Sequence, residues 1–145
     1  MLAAVQARPQ ARSQQPASVS KAVRRILVVD DDECMRELLY LHLTGSGYEV
    51  ELAEDGIAAG HAVLRAIPDL MLVDVDMPYM SGLDLVAAIR ADLSIPRFPV
   101  VFLTAVTNLA ERARALGAAY VTKPIRADTL LAVVSRQGRA ANGSS

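Results

Sequence analysis

Short apolar runs, each closed by polar or charged residues and followed by a stretch of helical spacing, constrain the fold of this chain most. Ile26–Val29, Leu70–Val73 and Val100–Leu103 are unbroken apolar segments, as strands buried on both faces of a parallel sheet must be. Glu49–Ala53 alternates polar residues with Val50 and Leu52, which fits a half-exposed edge strand, and Tyr120–Thr122 supplies a fifth short run. Met35, Leu38, Leu39 and His42 recur at i, i+3, i+4 and i+7 and predict one helix face, stopped by Gly45 and Gly47. Further helices are predicted over Ile57–Ala66, over Leu83–Leu93 and over Leu109–Leu116 with Gly117 as its stop. A last one is marked by Ala127, Leu131 and Val134. Strands and helices in strict alternation predict an open, mostly parallel α/β sheet covered on both faces.

With 145 residues the chain has room for one domain. Apolar residues make up 52% against 21% charged, enough for a core. The domain is expected at 24–136, between a disordered basic tail over 1–23 and a frayed tail over 137–145. Aromatics reach only 4% and Trp is absent, which disfavours a base-stacking platform for nucleic acid. The single cysteine, Cys34, excludes an internal disulfide and suits a reducing, cytoplasmic compartment. No apolar run approaches the length of a membrane span. The net charge of −1 conceals an asymmetry. Residues 1–29 hold bases and no acid, giving +5, and residues 30–145 carry −6.

Ligands of open α/β sheets bind beyond the carboxyl ends of the strands. The first strand here ends in Asp30, Asp31 and Asp32, and the third at Asp74, followed by Asp76 and Pro78. The fourth ends at Thr104, and the fifth runs into Lys123 and Pro124. Parallel strands would bring all of these to one rim. Crowded carboxylates repel and are costly to desolvate, a conflict that a hard cation such as Mg²⁺ with oxygen ligands resolves. A cation would also screen Asp74 enough for its carboxylate to attack a phosphoryl group. Such a transfer needs charge neutralisation more than covalent work by the protein. Lys123 offers a positive charge and Thr104 a hydroxyl donor for that purpose. Asp32 has the placement of a helix N-cap. His42 and His61 lack metal-ligand spacing, and Cys34 reads as a small packing residue.

These motifs resemble the receiver domain of two-component response regulators, of the single-domain chemotaxis type. The resemblance is carried by Arg25-Ile-Leu-Val-Val-Asp30-Asp31-Asp32 and by Pro68-Asp-Leu-Met-Leu-Val-Asp74-Val-Asp-Met-Pro78-Tyr-Met-Ser-Gly82. Leu103-Thr104-Ala105 and Tyr120-Val-Thr-Lys123-Pro124 complete it, over about residues 24–136. It implies a flavodoxin-like fold with strand order 2-1-3-4-5. It further implies that Asp74 accepts a phosphoryl group from a histidine kinase or histidine phosphotransfer protein. Asp31 matches the direct Mg²⁺ ligand beside Asp74, which is itself a metal ligand, Asp30 an acid holding the metal through water, and Asp76 the third protein ligand through its backbone carbonyl. Lys123 matches the lysine beside the acyl phosphate, with its bond to Pro124 cis. Thr104 and Tyr120 match a switch pair that changes partner binding on phosphorylation. Neither a nucleic acid nor a membrane is expected as a partner. The residues after Lys123 suffice for one helix and a tail, which leads to the expectation of a stand-alone receiver without an output domain.

Departures from the family pattern carry their own expectations. The Asp76 side chain adds a negative charge near the acceptor, expected to alter metal affinity and acyl phosphate lifetime. The segment from Thr104 to Lys123 is short, so the fourth helix is expected to be trimmed. Gly117-Ala-Ala-Tyr120 lacks the acidic pair that precedes this tyrosine in DNA-binding relatives. A rival from another class is an aspartate-nucleophile phosphohydrolase of the haloacid dehalogenase kind, which Asp74-Val-Asp76 also resembles. That family carries its Asp-x-Asp on the first strand, whereas here Asp30 and Asp31 come first. Two further rivals are a receiver-like docking module that is never phosphorylated and a flavin-binding fold, the latter disfavoured by an acidic rim that repels phosphate.

Overall fold

The apolar runs do form strands. In the computed structural model, which describes residues 22–106 and 108–143, they are β1 (Arg25–Val29), β2 (Glu49–Ala53), β3 (Leu70–Asp74), β4 (Val100–Thr104) and β5 (Ala119–Thr122). The helices are α1 (Glu33–Gly45), α2 (Gly56–Arg65), α3 (Gly82–Ala91), α4 (Ala110–Ala115) and α5 (Ala127–Gly143). The strands pair in the order β2-β1-β3-β4-β5, as expected, and every pair is parallel. Most of the basic tail lies outside the described residues.

Alternating side chains of the central strands leave on opposite faces. Leu27, Val29, Met71, Val73, Val100 and Phe102 pack with α2, α3 and α4 in one cluster. Ile26, Val28, Leu70, Leu72, Val101 and Leu103 pack with α1 and α5 in the other. Both faces are therefore covered, which is why β1, β3 and β4 read as unbroken apolar runs. At the edge, β2 leaves Leu52 40% exposed.

The helices differ from expectation in detail. On α1 the buried positions are Leu39 and Leu43, with Met35 partly covered, while Leu38 is 43% exposed. The helix carries apolar residues nearly all round, and Leu38 and Leu39 point to different sides. Asp92 closes α3 early, and Leu93 is left exposed in the loop. The expected trimming of the fourth helix is seen in the six residues of α4, whose end is turned by Gly117 at φ +68°. Gly47 turns the end of α1 in the same left-handed region, at φ +96°. The last helix continues past 136, to Gly143.

Candidate functional site

Parallel pairing places the carboxyl ends of four strands side by side, and the ladders run on past the strand ends. The Asp30 amide donates to the Ala53 carbonyl, the Val75 amide to Leu103 and the Lys123 amide to Thr104. These bonds fix Asp30, Asp74, Thr104 and Lys123 at one level. Gly82 lies directly beneath, since a Cβ there would overlap the Asp74 carbonyl. Its amide closes the β3–α3 loop on Val75 O at 3.0 Å. The Lys123–Pro124 peptide bond is cis.

Carboxylate oxygens of Asp30, Asp31 and Asp74 lie within 4.8 Å of one another. Asp30 and Asp74 are buried, whereas Asp31 is exposed. Lys123 Nζ donates to Asp74 Oδ1 at 3.0 Å, and the Asp76 amide reaches the same oxygen at 3.4 Å. Asp30 Oδ1 accepts from the Asp32 amide at 2.9 Å, but Asp30 Oδ2 is buried without a hydrogen-bond partner. A buried acceptor left without a donor is costly. Burial and the nearby charges of Asp74 and Asp31 push the Asp30 carboxyl up to about 6. Burial also raises Asp74, against the opposing pull of Lys123. Burial works against the Lys123 charge, yet its bond to Asp74 and the surrounding acids hold its pKa above the ordinary value.

The donor set fits a hard divalent cation: three carboxylates within ligand reach, one oxygen orphaned and one acid exposed. The Asp76 side chain is exposed and is not a member of this carboxylate group. Thr104 is buried, and its Oγ1 accepts from the Val106 amide at 3.0 Å. Tyr120 is 36% exposed. Asp32 caps α1 by accepting from Cys34 N and Met35 N. Cys34 itself is exposed at the first turn of α1, where Asp31, Asp32 and Glu33 are exposed as well, contrary to the packing role expected of it. His42 is half-buried and His61 exposed; neither belongs to a metal-binding group among the described residues.

Sequence reasoning missed two residues. Arg36 NH1 donates to the Asp30 carbonyl at 2.7 Å and fixes the turn that carries the acids; its place four residues after the N-cap was the available signal. Tyr79 holds φ +69° and is fully exposed in the β3–α3 loop, and nothing in the pattern marks it.

Residues 26–135 match the family described as the response regulator receiver domain. The chain belongs to that family. Among curated relatives, this receiver is 40% identical over 111 residues to the response regulator MprA of Mycobacterium leprae, covering 74% of this chain and 48% of that protein. It is 38% identical over 114 residues to the DNA-binding response regulator MtrA of Mycolicibacterium paratuberculosis, covering 77% and 49%. The receiver thus spans about half the length of these relatives. Among solved structures, the chemotaxis protein CheY4 of Vibrio cholerae aligns with a TM-score of 0.74 at 34% identity, covering 80% of this chain and 99% of that one. Family membership removes the hydrolase and flavin-binding alternatives. No helix among the described residues is long and apolar enough to cross a membrane.

Proposed function

We propose that Asp74 accepts a phosphoryl group from the phosphohistidine of a histidine kinase or histidine phosphotransfer protein, and that the phosphorylated receiver changes its binding to a partner protein. The observation that carries this is a nucleophile 2% exposed, paired to Lys123 at 3.0 Å and set within 4.8 Å of two further acids. Both described hydrogen bonds to its side chain fall on Oδ1, which leaves Oδ2 to attack phosphorus. The new O–P bond forms as the P–N bond breaks, and the departing imidazole keeps the electron pair and takes up a proton.

Asp31 and Asp74 would hold Mg²⁺ directly and Asp30 through water, with the Asp76 carbonyl as the third protein ligand. The ion would offset negative charge on the acids and on the incoming phosphoryl oxygens. Lys123 sits where its ammonium can move from Asp74 to a phosphoryl oxygen. Thr104 would exchange the bond its hydroxyl donates to the Val106 carbonyl for one to the phosphoryl group, and Tyr120, outward in this structure, would follow inward behind it. A cytoplasmic location accords with this role.

Mass measurement after incubation with acetyl phosphate and Mg²⁺ tests the proposal. A gain of one phosphoryl group, absent in Asp74→Asn, is expected. Turnover of simple phosphate monoesters, or no gain at all, would overturn it.

A further inference from the structure

The β3–α3 loop contains a conformational anomaly. Tyr79 adopts φ +69°, a region that a bulky non-glycine side chain rarely enters. The Met80 amide donates to the Pro78 carbonyl at 2.8 Å across it, so Tyr79 is the centre of a tight three-residue turn with the φ of the rare, strained γ-turn. Its flanks are held. Pro78 has a fixed φ, and the Met80 sulfur packs close to Gly56 at the start of α2. The Gly82 amide closes the loop on Val75.

Strain of this kind persists where the surrounding structure imposes it, and it concentrates at functional sites. Among the described residues the ring makes no packing contact that would repay it, because it is fully exposed. The ring stands on the loop that leaves Asp74. Met80 on the same loop is 41% exposed and Val106 on the neighbouring loop 44%, so apolar side chains flank the acidic pit. Asp74 is 2% exposed, and a phosphohistidine carried on a protein must lower its imidazole into that pit. The donor's surface then meets the rim.

We infer that Tyr79 is a specificity-determining contact for the histidine-bearing protein donor, held outward by the strained turn so that its ring packs on the donor as the imidazole approaches Asp74. This rests on Asp74 being the phosphoryl acceptor. A rigid, amphipathic aromatic side chain suits such a contact, since it buries much area for little rotamer entropy. A small donor does not reach the ring and gains nothing from it.

The test compares Tyr79→Asn and Tyr79→Phe with the wild type against two donors. One is acetyl phosphate; the other is the autophosphorylated core of whichever histidine kinase in a panel labels the wild type fastest, at limiting concentration. Asn tolerates a left-handed φ, so the Tyr79→Asn melting temperature should equal or exceed that of the wild type. Labelling of Tyr79→Asn by the kinase should fall at least tenfold, while Tyr79→Phe stays within about twofold. Acetyl phosphate should label all three alike. Undiminished kinase labelling of Tyr79→Asn overturns the inference, as does an equal loss with both donors. So does a panel in which no kinase labels a wild type that acetyl phosphate does label. Failure of acetyl phosphate to label the wild type would instead remove the acceptor reading itself.

Discussion

Replacing Asp30 by Asn should stabilise the metal-free protein at neutral pH and remove its response to Mg²⁺. Asp30 Oδ1 accepts from the Asp32 amide, a bond that the Asn carbonyl keeps. Oδ2 is a buried acceptor without a donor, beside the carboxylates of Asp31 and Asp74. An amide nitrogen in its place would donate toward those acids. Asp30 titrates at about 6 in the fold against an ordinary 3.8. At neutral pH its ionised form therefore costs the folded state about 2–3 kcal/mol.

The sign follows from proton linkage. A carboxyl whose pKa is raised by folding contributes its stability below pH 4, where it is protonated in both states, and loses it as pH rises through about 6. Urea unfolding in the presence of a chelator should thus show wild type and Asp30→Asn nearly equal at pH 4. The variant should lead by about 2–3 kcal/mol at pH 7, with the gap opening between about 4 and 6.5. Adding Mg²⁺ at about 100 times its Kd should return about 2.7 kcal/mol to the wild type and much less to the variant, which closes the gap. A gap independent of pH, or a less stable variant at pH 7, would refute the account of Asp30 as a strained, uncompensated charge. A gap that Mg²⁺ leaves untouched would refute its role toward the metal.

Other substitutions separate the scaffold from the chemistry. Gly82→Ala forces a methyl group against the Asp74 carbonyl and should cost about 1–3 kcal/mol in urea unfolding, with slower labelling of Asp74 by acetyl phosphate. Asp32→Ala removes the α1 cap, which accepts from two amides; about 1 kcal/mol of stability should be lost while the labelling rate holds. Lys123→Gln deletes the cation paired to Asp74. Labelling should fall at least tenfold, yet Mg²⁺ should raise the melting temperature further than in the wild type, because the site becomes more negative. Weaker Mg²⁺ stabilisation of Lys123→Gln would contradict the electrostatic picture.

Much of this architecture is legible in the sequence because a parallel sheet covered on both faces turns strands into unbroken apolar runs, and β1, β3 and β4 stand out. The rim is legible for a related reason. Charged residues directly after such runs, as at Asp30 and Asp74, have no place in a core and must serve the strand ends. The face of α1 is less legible, because Leu38, Leu39, Tyr40, Leu41 and Leu43 supply apolar residues on all sides and only tertiary contact selects Leu39 and Leu43. Cys34 shows the same limit, since a small apolar side chain in a helix reads as packing until the sheet places its turn at the surface. Arg36 reaches the Asp30 carbonyl through a long side chain, a contact that its place four residues after the N-cap permits but does not by itself specify. Tyr79 is the least legible, as its backbone conformation contradicts the preference of its residue type.

Asp30, Asp31 and Asp74 divide one task by their surroundings. A metal held only by exposed acids would bind a site that water and salt already screen, and little would depend on it. A metal held only by buried acids would demand that several charges be desolvated at once, at a cost that the fold would avoid by protonation. Here Asp30 is buried and anchored through Oδ1 alone, Asp74 is buried but paired to Lys123, and Asp31 remains in solvent. Lys123 thus opposes the rise that burial imposes on Asp74 before any cation arrives, which favours the nucleophilic carboxylate. Asp30 feels the Lys123 charge without an ion pair of its own among the described residues, so its carboxyl depends most on a bound cation. Proton and metal should then compete at Asp30, which makes apparent Mg²⁺ affinity fall below about pH 6.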